Sequence, residues 1–367
     1  MTDNYHIDGE RRAFELGNRG PIEFNVDGTL RQDIVDAYWR TGFYVFEGVV
    51  AGDELDELIT EFERALERAP SSSDSSTDAK GRPALGAEFE RPSFRFAKPL
   101  SDPHGGTPST HGRYPAKMSE PEPPPDAPAE VIHQMSGILH LGDSFLRLYG
   151  HPQLLAIAEQ INGPDFTPFT DTIWVKEAGL GASVAWHQDG TTHWDNPDLD
   201  PGTHGFNFMM QLYGSNACNA LWVVPGTHRV GKIDIKARVE ANDGSDRLPD
   251  AVPMLCCPGD VAICSRQVLH GSFANTSPAM RATFVFGFHR RASILGVSAW
   301  GKEPYDEARI HARSRVIALA VDARQQRFPD EPHYIYQPLA DEVEDNRWSD
   351  DTREHVLKNY NLNDLGI

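Results

Sequence analysis

Between residues 166 and 290 the chain breaks into short β-rich runs divided by Gly, Pro and Asn. They read TPFTDTIWVKEA, SVAWHQD, GFNFMMQLYG, ALWVVPG, DVAICS, VLHGSF and RATFVFGFHR. Seven or eight such runs in succession, with no helix expected between them, argue for a sandwich, a barrel or a jelly roll. The expected fold class is therefore mainly β with flanking helices, an α+β arrangement.

The flanks carry helical patterns. RQDIVDAYWRTG has apolar residues at helical spacing and stops at Gly42, FYVFEGVV follows as a short strand, and DELDELITEFERALERA is amphipathic with acidic residues in its first turn. Residues 71–85 (SSSDSSTDAKGRPAL) are polar and expected to be mobile, and SEPEPPPDAP reads as an extended proline-rich connector. ERPSFRFAKPL lies between them, in an excursion long enough to form a lid or a substrate loop, or to pack on the core. Helical spacing is expected again over 131–165, and a further helix over about 304–328. The resulting division is a tail (1–30), a helical segment with a mobile insertion (31–130), a β core (131–300) and a helical extension (301–367), all in one integrated domain.

With 367 residues, the chain can bury a substantial core. Its formal charge of −20 would repel phosphate backbones and anionic lipid, so neither nucleic acid nor a membrane is an expected partner. The N-terminal stretch lacks a signal-like apolar core, and no apolar run is long enough to span a bilayer. Cys218, Cys256, Cys257 and Cys264 form neither a CxxC pair nor a plausible disulfide framework, so reduced, packed thiols and a cytoplasmic location are expected.

One β run contains AWHQDGTTHW. In a strand, residues i and i+2 share a face, so His187 and Asp189 project together while Gln188 points away. An HxD pair alone is common and means little. With a distant histidine, for which His270 in VLHGSF is the candidate, it makes a two-histidine, one-carboxylate set. That set holds one face of an octahedral Fe(II) and leaves three positions open. If 2-oxoglutarate were to fill two of them, its far carboxylate would need a buried cation, ideally a bidentate arginine. Arg281 follows His270 by 11 residues, and Ser272 shares a strand face with His270. The turn ANTSPAM is expected to fold these two runs into one antiparallel hairpin.

These pieces together resemble the phytanoyl-CoA dioxygenase family of Fe(II)/2-oxoglutarate oxygenases, which also contains ectoine hydroxylases and many natural-product enzymes. The matching stretches are WHQDG (186–190), LWVVPGTHR (221–229), CPGDVAI (257–263), LHGSFANTS (269–277) and Arg281, with FYVFEGVV and its acidic helix as the entry segment. The resemblance covers roughly residues 33–68 and 150–290. It implies a double-stranded β-helix (a cupin-like jelly roll), with His187, Asp189 and His270 as iron ligands and Arg281 with Ser272 gripping 2-oxoglutarate. The implied reaction consumes O2, releases succinate and CO2, and hydroxylates or otherwise oxidises a small organic molecule. Halogenating members replace the carboxylate ligand with Ala or Gly, so Asp189 argues against halogenation. Where relatives read Asn-Gly-Pro before LWVVPG, this chain has Cys218-Asn219-Ala220, and Asn219 is expected to take the left-handed turn conformation. Two other readings are a jelly roll that only binds a small molecule, and a cupin-type metalloenzyme that does not use 2-oxoglutarate.

Secondary candidates surround these residues. Thr172 and Trp174 sit at strand spacing, to contact the co-substrate or pack in the barrel. Trp194 is expected to wall the co-substrate or substrate site or to pack at its rim, and His193 belongs to the rim rather than to the ligand set. His204 and Asn207 are candidates for substrate contact; His228 and His289 read as structural. The insertion at 71–130 is the expected place for substrate-specific residues. A CoA thioester would need a basic patch, for which Arg91, Arg95 and Lys98 are the one local cluster, and a free small molecule is preferred as substrate.

Overall fold

The computed structural model describes residues 3–89, 91–189, 205–298, 304–358 and 360. Among them, the strands are β1 (Arg19–Gly20), β2 (Phe43–Phe46), β3 (Phe94–Ala97), β4 (Val131–Ser136), β5 (Thr167–Lys176) and β6 (Val184–His187). They continue as β7 (Gly205–Gln211), β8 (Trp222–Val224), β9 (Val252–Pro253), β10 (Val261–Ser265), β11 (Leu269–Ser272) and β12 (Arg281–His289). The major sheet runs β1-β2-β10-β7-β12-β5-β4-β3 and the minor sheet β6-β11-β8-β9. The two face each other as a double-stranded β-helix.

All seven strand runs expected between 166 and 290 are present. A short helix, Ile235–Glu240, does interrupt them between β8 and β9, where none was expected. Val131–Ser136 is also a strand and not the start of a helical stretch. Short apolar runs do not declare their period, and this one is drawn out by pairing Gln134 with Trp174 of β5. The major sheet takes β1, β2 and β3 from before residue 131, where the sequence reading starts the β core.

Every residue of β12 is buried, because the strand lies in the middle of the sheet and both its faces are covered. Phe284, Phe286 and Phe288 face the helical layer: Phe284 meets Phe145 edge-on at 5.0 Å and Phe288 meets Phe166 at 5.2 Å. Arg281, Thr283 and Val285 alternate with them and line a cavity between the sheets. The helices Asp143–Tyr149, Pro152–Asn162 and Glu307–Arg327 pack over the convex side. The segment 71–85 folds around the buried carboxylate of Asp78, which accepts backbone N–H groups from Lys80 and Arg82, both at 2.9 Å, and pairs with Arg68 and Arg82.

The expected N-terminal tail contains a helix, Asn4–Glu15, started by an Asp3–His6 capping box. It lies on the minor sheet, where Tyr5 stacks on Trp222 at 4.6 Å. Gly9 allows this approach, since a Cβ there would sit 2.5 Å from Trp222 Cη2 and 3.1 Å from Pro253 Cδ. Gly9→Val should therefore cost about 1–3 kcal/mol in urea unfolding through overpacking. A cost below about 0.5 kcal/mol, the range of a neutral surface change, would contradict this docking.

Candidate active site

The two strands that carry the histidines pair so that His187 of β6 stands directly opposite His270 of β11. Opposed residues share a face, and the two rings lie side by side with centroids 4.1 Å apart. Each Nδ1–H donates to the carbonyl two residues back, His187 to Ala185 at 2.8 Å and His270 to Val268 at 2.9 Å. This fixes both tautomers and leaves each Nε2 lone pair free to bind.

Asp189 lies just past the end of β6, and its N–H donates to the Arg266 carbonyl at 2.7 Å. Its carboxylate thereby meets the histidines, with Oδ1 3.8 Å from His187 Nε2 and Oδ2 4.0 Å from His270 Nε2. The three potential ligand atoms lie within 4.8 Å of one another. Arg113 approaches Oδ1 at 3.2 Å, and Asn207 of β7 donates to Oδ2 at 3.3 Å. Burial alone would raise the Asp189 carboxyl, but the charges of Arg113 and Arg266 oppose it and the group is held well below the carboxylate range. Burial, reinforced by His270, keeps the His187 ring neutral, the form that binds a metal.

An inner chamber of about 100 Å³ opens from this cluster and is also lined by Arg281, Ser272, Thr283, Gln211, Trp174 and Tyr114. Ser272 Oγ and Arg281 Nε are buried without a hydrogen-bond partner, and no carboxylate among the described residues answers Arg281. Burial lowers the Arg281 guanidinium to about 10, so it remains charged at neutral pH. Arg281 and His270 do not form the expected hairpin. β11 pairs with β6 and β8, β12 pairs with β5 and β7, and the two residues face each other from opposite sheets. The link between them is tied to the neighbouring crossing: Asn275 Nδ2 donates to the carbonyls of Lys176 (3.2 Å) and Glu177 (2.9 Å).

Other expected residues separate by position. Gln188 is turned away, donating to the carbonyls of Gly231 and Gln267 and accepting from Ile233 N–H. Thr172 is not in the inner chamber; it lines a larger outer chamber of about 410 Å³ that shares Asp189, Asn207, Trp174, Arg113, Tyr114 and Val285 with the inner one. His228 is buried against Trp39, and His289 packs on Phe169, each away from the cluster. Asn219 is not left-handed; instead its Oδ1 accepts Asn216 N–H and its Nδ2 donates to the Ala279 carbonyl, which holds the turn with ordinary backbone angles. All four cysteines are free. His193, Trp194 and His204 lie outside the described residues.

Sequence reasoning missed Arg113 and Tyr114, which come from the insertion. Three successive left-handed residues, Thr110 (φ 51°), His111 (φ 56°) and Gly112 (φ 72°), turn the chain just before them. Such angles at non-glycine residues cost about 1–3 kcal/mol each and persist where the surroundings enforce them. Tyr114 packs on His187 with ring centroids 4.7 Å apart. Arg113 and Asp189 are 76 residues apart with no shared motif, so no sequence signal links them.

Known proteins share this arrangement of strands. The chain is 24% identical over 298 residues to the ectoine dioxygenase of Halomonas elongata, covering 75% of each chain. It is 22% identical over 341 residues to that of Bordetella parapertussis, covering 87% of this chain and 94% of the other. The crystal structure of EctD from S. alaskensis with 2-oxoglutarate and 5-hydroxyectoine superposes with a TM-score of 0.52 at 18% identity, over 79% of this chain and 90% of that one, a likeness of fold. No helix among the described residues is long and apolar enough to cross a membrane. The family model for phytanoyl-CoA dioxygenase (PhyH) matches residues 38–283, and the chain belongs to the phytanoyl-CoA dioxygenase family.

Proposed function

We propose that this protein is an Fe(II)- and 2-oxoglutarate-dependent dioxygenase that hydroxylates a small organic molecule. The observation that carries the reading is a complementary pair across one cavity. A two-histidine, one-carboxylate cluster sits on one side, and a buried arginine and serine without partners sit on the other.

Both groups fit these residues. Two neutral imidazoles and a carboxylate suit ferrous iron, with His187, Asp189 and His270 as the ligands. A carboxylate of 2-oxoglutarate would satisfy Arg281 and the Ser272 hydroxyl, groups whose burial without a partner costs about 1–3 kcal/mol each. Bound iron and 2-oxoglutarate supply the oxidising chemistry, in which R–H, 2-oxoglutarate and O2 become R–OH, succinate and CO2.

The chain supplies position and exclusion. The carbonyls of Ala185 and Val268 hold the imidazoles in the ligating tautomer, while Arg113 and Asn207 hold the Asp189 carboxylate in place. Trp174, Val184, Met209, Leu221 and Val285 give the cavity apolar walls that keep water away from the reacting atoms. Hydroxylation is preferred to halogenation because Asp189 takes the position at which halide would bind.

The test is 2-oxoglutarate-dependent succinate formation by the iron-loaded protein, read with a panel of small organic molecules and by mass spectrometry of the products. Alanine at His187, Asp189 or His270 should lower succinate formation at least about a hundredfold, the upper range for losing even an outer partner of a metal ligand. Little loss in any of the three would refute the ligand set.

Arg281→Ala should raise the KM for 2-oxoglutarate by roughly 10- to 150-fold, as removal of a charged hydrogen bond worth about 1.5–3 kcal/mol requires. Unchanged turnover in Arg281→Ala would instead support a cupin-type enzyme that needs no 2-oxoacid.

A further inference from the structure

The protein carries a formal charge of −20, yet its outer chamber has the opposite character. Among the described residues lining it are four arginines, Arg91, Arg95, Arg113 and Arg266, against a single carboxylate, Asp189. Two of these cations have visible tasks. Arg113 holds Asp189, and Arg266 lies over the Phe169 ring at 3.9 Å. Arg91 and Arg95 have none: neither has a hydrogen-bond or ion-pair partner among the described residues. Lys98, the third member of the cluster seen in the sequence, does not line the chamber.

The sheet register ties Arg95 to the catalytic cavity. Arg95 stands opposite Gln134, Gln134 opposite Trp174, Trp174 opposite Thr283, and Thr283 opposite Gln211. Directly opposed residues share a face, so this row runs without a break from the sheet edge into the inner chamber. Arg95 lies two strands from Trp174, roughly 10 Å at the usual strand spacing. Along the way the floor is polar, with Gln134, Ser136 and Thr172 in the same chamber.

We propose that the outer chamber binds an anionic head group of the substrate, a carboxylate or a phosphate, through Arg91 and Arg95. The rest of the substrate then extends past Trp174, which lines both chambers, towards the triad in the inner one. This inference rests on the dioxygenase reading and names the substrate class for it. A solvated guanidinium at the rim also draws anions towards a chamber in an otherwise acidic protein.

Isothermal calorimetry on the protein loaded with Fe(II) and 2-oxoglutarate under anaerobic conditions tests it, with hexanoate, hexyl phosphate and hexanamide as probes. At least one anion should bind about tenfold or more tighter than hexanamide, as a charge-assisted contact requires. The stronger of the two anions identifies the head group. Arg91→Gln/Arg95→Gln should abolish the preference, whereas Arg91→Lys/Arg95→Lys should retain most of it. Hexanamide binding as tightly as the anions, an unaltered preference in the double Gln variant, or no binding by any probe would overturn the inference. Because heat is measured rather than turnover, a protein that makes succinate but shows no anion preference overturns this inference alone. A protein that binds the anions and makes no succinate overturns the reaction reading instead.

Discussion

The site depends on one cross-strand pairing. Because His187 and His270 are directly opposed in the minor sheet, two imidazoles share a face without help from any loop. A slip of one residue in that register would turn one ring to the other side of the sheet. Gly271 guards the register, since a Cβ there would lie 3.1 Å from both Trp186 N and Val184 O. Trp186, fully buried with its indole N–H on the Asp246 carbonyl at 2.7 Å, anchors the same strand from behind. Two ligands are thus placed by rigid sheet, and Asp189 needs only the next turn to join them.

Much of this was legible in the sequence, because the features in question are local. The seven strand runs, the helices at Gln32–Thr41 and Glu307–Arg327 and the i, i+2 spacing of His187 and Asp189 are written in short-range pattern. The hairpin was misread for a related reason. A short turn rich in Asn, Ser and Pro says that the chain reverses, but not which sheet the next strand enters. Here Asn275 fastens that turn to the crossing between β5 and β6, so both links pass between the sheets together. Arg281 still reaches the chamber, now from the opposite wall.

The contribution of the insertion could not have been read. Arg113 and Tyr114 reach the triad because left-handed residues at 110–112 redirect the chain, and two of those three are not glycine. Local propensity points away from that conformation, so the tertiary contacts decide it. β3 and β4 are illegible for the same kind of reason: VIHQMS becomes a strand through its neighbours on either side, β5 and β3. The i, i+2 pair of His187 and Asp189 is thus local and readable, whereas Arg113, which steadies Asp189 from 76 residues away, is not.

The central claim is that one cavity holds both the metal cluster and the far carboxylate of 2-oxoglutarate. It is tested most directly by anaerobic absorption spectroscopy of the Fe(II)-loaded protein titrated with 2-oxoglutarate. The account predicts a visible charge-transfer band that saturates at one equivalent per chain, because the keto acid chelates the metal while Arg281 holds its other end. A titration in which iron binds and no such band develops would contradict it.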